Sequence, residues 1–99
     1  MQNHAVQHIT SATTLAAIPA PGAKSRITIT ALHISVAAAD VVTVGFSAAN
    51  QRVFDLAANG SVEIGLTRWE GDANAAFSIT TSTAGPADFS ADYILENAP

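Results

Sequence analysis

Residues 27–36 read ITITALHISV, and apolar side chains recur there at every second position. An alternation with period 2 is typical of a β-strand that buries one face. The apolar side chains form two groups of opposite phase: Ile27, Ile29 and Ala31, then Leu32, Ile34 and Val36. A change of phase within one strand indicates a β-bulge, which we expect near Ala31 or Leu32. This segment therefore predicts a bulged strand with one buried face.

Segments with the same alternation follow along the chain and are separated by turn residues. Their apolar positions are Val42, Val44 and Phe46; Phe54 and Leu56; Val62, Ile64 and Leu66; Phe77 and Ile79; and Phe89, Ala91, Tyr93 and Leu95. We expect Phe46, Ile64, Phe77 and Tyr93 to point into one core. The pair Asn59-Gly60 favours a type I′ turn, because both of its central positions need φ > 0. The sequence therefore predicts a β-hairpin around residues 59 and 60.

The first eighteen residues have a different character. Residues 4–10 and 13–18 are short extended candidates, and Pro19 and Pro21 stiffen the connection that follows them. A short helix over residues 12–20 is the alternative, which Thr13-Thr14 and the flanking prolines disfavour. We therefore divide the chain into an extended N-terminal arm, residues 1–18, and a β-sandwich domain, residues 19–99.

The chain length of 99 residues matches one domain and leaves no room for a second core. Counting the arm, the pattern gives about eight short strands at spacings of roughly 8 to 12 residues, which is typical of a sandwich or jelly roll. The predicted fold is an all-β, single-domain, jelly-roll-like sandwich of antiparallel strands.

Composition favours contacts between proteins over contacts with nucleic acid or lipid. Hydrophobic residues make up 48% of the chain and charged residues 12%, so small apolar groups must lie near the surface. The net charge is −4 with four cationic side chains, whereas a polyanion partner requires a clustered basic face. We expect no nucleic-acid partner, no membrane partner, no transmembrane segment and no signal peptide. Without cysteine, disulfides cannot add stability, which favours oligomerisation.

Patterns that suggest chemistry each have a simpler structural explanation. His4 and His8 are four residues apart, which on a strand separates their rings by roughly 13 Å and prevents a shared zinc ion. A calcium loop starting at Asp72 lacks the required glycine at its sixth position. The carboxylates of Asp88, Asp92 and Glu96 fit the solvated face of one strand better than a glycosidase pair. The sequence predicts no catalytic residue, metal site or cofactor, and hence no enzyme.

Trp69 is the remaining candidate for a binding residue. Tryptophan is favoured at binding hot spots, so this side chain suits sugar stacking or a contact with a neighbouring subunit. It suits the alternative role of capping the open end of a sandwich at least as well. The arm is apolar enough to need a partner surface. The predicted assembly interface is Val6, Ile9, Leu15, Ile18 and Trp69.

Residues 16–96 resemble the small β-rich virion proteins of tailed bacteriophages. The resemblance rests on Ile18 among alanine and proline, the strands that open at residues 24–27 and 42–46, the segment 56–60, Trp69 before a Gly-Asp turn, and the end of the last strand at residues 93–95. Many simple members of this group would lack the extended N-terminal arm. The resemblance implies an oligomeric, often trimeric, component of a phage head, head fibre or tail.

This resemblance gives the functional expectation. It implies a non-enzymatic capsid decoration or cement protein that is located in the virion and binds itself and the major capsid protein or other virion proteins. The alternative is a sugar- or receptor-binding β-sandwich of a phage fibre or tail, with Trp69 as the stacking platform.

Overall fold

The computed structural model describes residues 2–98, which form nine strands and no helix. The strands are β1 (Gln2–Ile9), β2 (Thr14–Ile18), β3 (Ser25–Val36), β4 (Asp40–Ser47), β5 (Asn50–Leu56), β6 (Ser61–Ile64), β7 (Trp69–Glu70), β8 (Phe77–Thr80) and β9 (Ala87–Asn97). All strand pairs are antiparallel, and the strands form two packed sheets. The predicted all-β sandwich is confirmed.

The two sheets differ in the order of their strands. Sheet A has the order β1-β9-β3-β6, and β7 pairs with β3 next to β6. Sheet B has the order β2-β8-β4-β5. Contacts between β1 and β2 close one side of the sandwich, and contacts between β5 and β6 close the other. Each side therefore carries one edge strand from each sheet.

The predicted bulge lies in β3, where the register with β9 shifts between Ile29 and Ala31. Before the shift, Ile27 and Ile29 are buried, and after it the even-numbered side chains from Leu32 onwards face the core. Thr30 is the extra residue, one position before the predicted pair Ala31 and Leu32. The change of phase in the sequence is the direct signature of this bulge.

The core lies between the two sheets and is centred on aromatic rings. Phe77 is fully buried, with its ring centroid 4.9 Å from that of Phe46 and 5.2 Å from that of Trp69. Ile64 and Tyr93 are partly buried and pack against the same cluster. The prediction that Phe46, Ile64, Phe77 and Tyr93 share one core is confirmed.

The predicted hairpin at Asn59-Gly60 is wrong. The strands on either side of this turn lie in different sheets, because β5 pairs with β4 and β6 pairs with β3. Asn59 has φ of 59°, as a turn of this kind requires, but Gly60 does not have a positive φ. Gly60 is needed for another reason, since a Cβ there would lie 2.7 Å from the carbonyl oxygen of Ala57. The turn is an arch between sheets.

Residues 1–18, predicted as an arm, are described from Gln2 onwards and supply an edge strand to each sheet. β1 pairs with β9 along its whole length, and β2 pairs with β8. Ile9, Ala17 and Ile18 are buried in the common core. The segment is extended, as expected, and its partner surface is the rest of the same chain. The division at residue 18 stays a prediction.

Candidate assembly surface

All three histidines lie on the outer face of sheet A. Cross-strand pairing places them in three of the rows on this face: His4-Asp92-Ala31, Val6-Ser90-His33-Glu63 and His8-Asp88-Ser35-Ser61. Nδ1 of His4 lies 2.6 Å from Oδ1 of Asp92, and Nδ1 of His8 lies 2.6 Å from Oδ1 of Asp88. An ionised carboxylate only accepts, so in each pair the imidazole N–H donates. These two pairs fasten the edge strand β1 to β9.

A second group of charges lies on the same face, beyond the bulge. Nη2 of Arg68 lies 2.7 Å from both carboxylate oxygens of Glu96, and Thr28 donates a further hydrogen bond to Glu96. The hydrogen bonds from Arg68 and then Thr28 hold the pKa of the Glu96 carboxyl below its ordinary value. Glu70 accepts hydrogen bonds from both Arg68 and Arg26. This network ties β7 to β3 and β9.

The carboxylates that the sequence places on one face of the last strand therefore have partners. Asp88, Asp92 and Glu96 bind His8, His4 and Arg68 in turn. Among the residues that the structure describes, no three His, Asp or Glu side chains are grouped so that they would hold a metal ion. The arrangement is one of cross-strand ion pairs.

The outer face of sheet B is different in kind. Its two central rows are Thr14-Thr80-Thr43-Val53 and Ala16-Ser78-Gly45-Gln51. None of these eight side chains is ionisable. The hydroxyls of Thr14 and Thr80 lie 2.9 Å apart and bind each other. A shallow groove of about 260 Å³ runs over Thr43, Gly45, Ser78 and Thr80.

The edge strands differ in how well they are protected. β1 is eight residues long, pairs in unbroken register, and contains no proline or lysine. β2 is bulged between Ala16 and Ile18 and is followed by Pro19. On the other side, residues 65–68 interrupt the edge between β6 and β7, whereas β5 offers seven residues. Charges, prolines, bulges and short strands are the usual means of blocking an edge. β1 has the least such protection.

The five side chains predicted to form an assembly interface are scattered. Val6 is 64% exposed on β1, whereas Ile9 and Ile18 are buried in the core and Leu15 packs against it. Trp69 is 8% exposed, donates its indole N–H to Oδ1 of Asn50 at 2.7 Å, and lies under the guanidinium of Arg52 at 4.7 Å. It packs in the core against Phe46 and Phe77, so its place is a structural one. The role of these five in assembly stays a prediction.

The pairing of histidines with aspartates was missed from the sequence. His4 and His8 are four residues apart, and so are Asp88 and Asp92. In an antiparallel pair, equal spacings come into register, so this match was the available signal. The histidine spacing and the aspartate spacing were each interpreted within a single strand, without comparing the two strands.

Within residues 2–98, no helix is long and apolar enough to cross a bilayer.

No protein-family model and no curated protein matches the chain. Among solved structures, the chain is similar to a subunit of Bacillus endospore appendages, which are described as a novel family of disulfide-linked pili. This match has 14% identity and a TM-score of 0.60, and covers 100% of this chain and 88% of that one. At this identity the match shows the fold.

A second structure is a virus-like particle of the extra small virus of the giant freshwater prawn Macrobrachium rosenbergii. It has 13% identity and a TM-score of 0.34, and covers 93% of this chain and 77% of that chain. A TM-score of 0.34 carries no argument.

The resemblance to tailed-bacteriophage virion proteins is wrong, because the match along the whole chain is to an endospore appendage subunit. The expected capsid decoration or cement function, its fibre or tail alternative and the virion location are overturned with it. The motifs behind that resemblance consist of small residues and turn signals. Such residues recur in any small β-sandwich, since turns and edges require them.

Proposed function

We propose that this chain is a non-enzymatic structural subunit whose copies assemble with one another through exposed strand edges. The observation that carries the proposal is the unprotected edge of β1, eight residues long and in unbroken register. Outward-facing N–H and C=O groups on such an edge are ready to pair with a strand of another chain. Natural proteins usually protect an exposed edge of this length. A regular, unprotected edge therefore favours a role in pairing with another chain.

The position of the second long edge indicates what kind of assembly would form. β5 is the edge of sheet B on the side of the sandwich opposite β1. A contact between β1 of one copy and β5 of the next joins two different surfaces, and every added copy leaves both kinds of edge free at the ends. Head-to-tail contacts of this type give rings or open filaments. The fold shared with an appendage subunit described as forming pili supports the same reading.

Disulfides between these residues cannot link the copies. The similar appendages are described as disulfide-linked, but none of the 99 residues here is cysteine. Strand pairing alone buries little surface, and stable interfaces bury about 1,200–2,000 Å² in total. We therefore expect side-chain contacts beside the paired edges to contribute to the interface.

The test is to substitute proline at neighbouring positions of β1. In an antiparallel edge strand, alternate residues point their N–H at the partner strand or away from it. Of Ala5→Pro and Val6→Pro, one removes a hydrogen bond to β9 and the other removes an outward N–H. Thermal unfolding identifies the outward variant as the one that keeps the wild-type melting temperature.

Electron microscopy and analytical ultracentrifugation then follow assembly of the purified chains. We expect extended assemblies of the wild-type protein and monomers of the outward variant. The inward variant serves as the matched control for a change of stability. A wild-type chain that stays monomeric at all concentrations contradicts the proposed function, and an outward variant that assembles normally excludes the β1 edge.

A further inference from the structure

Leu66 has an unusual combination of conformation and exposure. Its side chain is fully exposed at the tip of the loop between β6 and β7. Its φ is +51°, a left-handed conformation that leucine seldom adopts. The neighbouring Gly65 has no positive φ and has open space around the site of a Cβ. If glycine stood at position 66 and leucine at position 65, the left-handed conformation would fall on glycine, which adopts it without strain. The present order therefore exposes a leucine at a cost in local stability.

The loop that carries Leu66 is braced on its C-terminal side. The N–H of Thr67 donates to the carbonyl of Thr30, the bulge residue of β3, at 3.0 Å. The next residue, Arg68, is held by Glu96 at 2.7 Å. A loop held in this way loses little further backbone freedom when a partner buries its apolar side chain.

Three surface grooves differ in how well their chemistry suits an apolar side chain. One is lined by His4, His33, Glu63 and Asp92, and another by His33 and Asp88. Covering these ionisable groups with a leucine would remove water from them, which is costly. The groove on the outer face of sheet B has no ionisable side chain in its lining. It is the best receptor for an apolar side chain.

We infer that Leu66 of one copy inserts into the sheet B groove of the next copy. This inference rests on the proposed self-assembly and names the side-chain contact that accompanies it. The loop lies on the side of β6 and β7, whereas the groove extends to Thr14 of β2 on the other side. A side-by-side arrangement therefore brings Leu66 towards the groove of its neighbour. The two surfaces are different, so the contact repeats from copy to copy.

The first test removes the apolar side chain without straining the loop. Asparagine tolerates positive φ, so Leu66→Asn should fold with at least the wild-type melting temperature. Burying one leucine side chain accounts for about a tenfold to hundredfold change in affinity. We expect the dissociation constant between copies, measured by sedimentation, to rise by that factor. The control is Leu95→Asn, which removes another exposed leucine from a regular strand.

The second test locates the receptor. Ser78→Lys places a charge in the groove and should weaken association to a similar degree. If Leu66 enters this groove, the double variant should be little weaker than either single variant, because each already removes the same contact. If the two substitutions instead raise the dissociation constant by independent factors that multiply, the groove is not the receptor for Leu66.

The outcomes separate this inference from the proposed function. Wild-type chains that never associate overturn both. Association that is lost in the outward proline variant of β1 but unchanged in Leu66→Asn overturns only the role of Leu66. A loss in Leu95→Asn equal to that in Leu66→Asn also overturns it, because the effect would then follow from any exposed leucine.

Discussion

The outer faces of the two sheets have the same alternating pattern in sequence and opposite chemistry. Sheet A places histidines against aspartates and arginines against glutamates, whereas the central rows of sheet B hold threonine, serine, glycine, alanine, valine and glutamine. Covering ion pairs removes charges from water at a high cost, and covering small uncharged side chains costs less. We conclude that sheet A is suited to remain exposed to water and sheet B to be covered.

The largest expected effect comes from deleting residues 1–18. Each face would lose an edge strand, and the core would lose Ile9, Ala17 and Ile18. We expect the shortened chain to lose cooperative unfolding, measured by circular dichroism beside the full-length chain. A cooperative transition in residues 19–99 would instead support the division into an arm and a domain, and would mean that neither face depends on its edge strand.

One core supports both faces, and Phe77→Ala tests how far that core depends on a single ring. The Phe77 ring is fully buried and lies 6.0 Å from the Phe89 ring of sheet A, measured between centroids. Removing it leaves a cavity between the sheets, so we expect the free energy of unfolding to fall by about 3–5 kcal/mol. Urea titration measures this loss. Phe54→Ala, on the edge strand β5, should cost less, and equal losses would mean that the core is not centred on Phe77.

Asp40→Ala tests whether the acidic side chains of sheet B contribute to the stability of the fold. Asp40 is buried and accepts hydrogen bonds from the N–H and hydroxyl of Ser82, both at 2.8 Å, and from the hydroxyl of Thr83. We expect a loss of about 2 kcal/mol, because the substitution removes the buried acceptor of these hydrogen bonds. The matched control is Asp55→Ala, exposed on β5, which should change stability by less than about 0.5 kcal/mol. Equal losses would contradict this difference.

The smallest effect concerns Glu96 on sheet A and depends on pH. Hydrogen bonds from Arg68 and Thr28 lower the pKa of Glu96 in the folded chain, so the unfolded chain takes up its proton first as pH falls. The stabilising contribution is therefore present above the unfolded pKa and is lost as pH falls through the folded pKa. We expect Glu96→Gln to lower the melting temperature at pH 7 and to have no effect in strong acid.

Calorimetry across this pH range in an Arg68→Gln background supplies the control. Without the guanidinium, the effect of Glu96→Gln should shrink at every pH. An undiminished effect would show that Arg68 is not the group that lowers the pKa of Glu96.

Local patterns predicted the strands better than they predicted strand partners. The change of phase after Ile29 located the bulge of β3 to within one or two residues, because alternation follows directly from burial. The turn at Asn59-Gly60 was identified, but its chemistry does not distinguish a hairpin from an arch between sheets. Val62 and Ile64 pair with Ile34 and Leu32 of β3, a choice made by tertiary packing.

The candidate surface was less predictable for the same reason. The apolar positions of residues 1–18 indicated the need for a partner, but not that the partner is β8 and β9 of the same chain. The two uncharged central rows of sheet B become visible only when β2, β8, β4 and β5 are placed side by side. Neighbours in this sheet are distant in sequence, so no local window contains the face.

The pairing of β1 with β9 also has a consequence during synthesis. Gln2 pairs with Ile94 and Ile9 with Ala87, so the ribosome must make nearly the whole described chain before β1 finds its partner. At about 5–20 residues per second, the first strand waits roughly four to eighteen seconds. Over that time sheet A lacks its outermost strand, and the edge that we propose for assembly does not yet exist. Until then β1 is unpaired along both of its edges, so a nascent chain exposes this apolar segment to its neighbours.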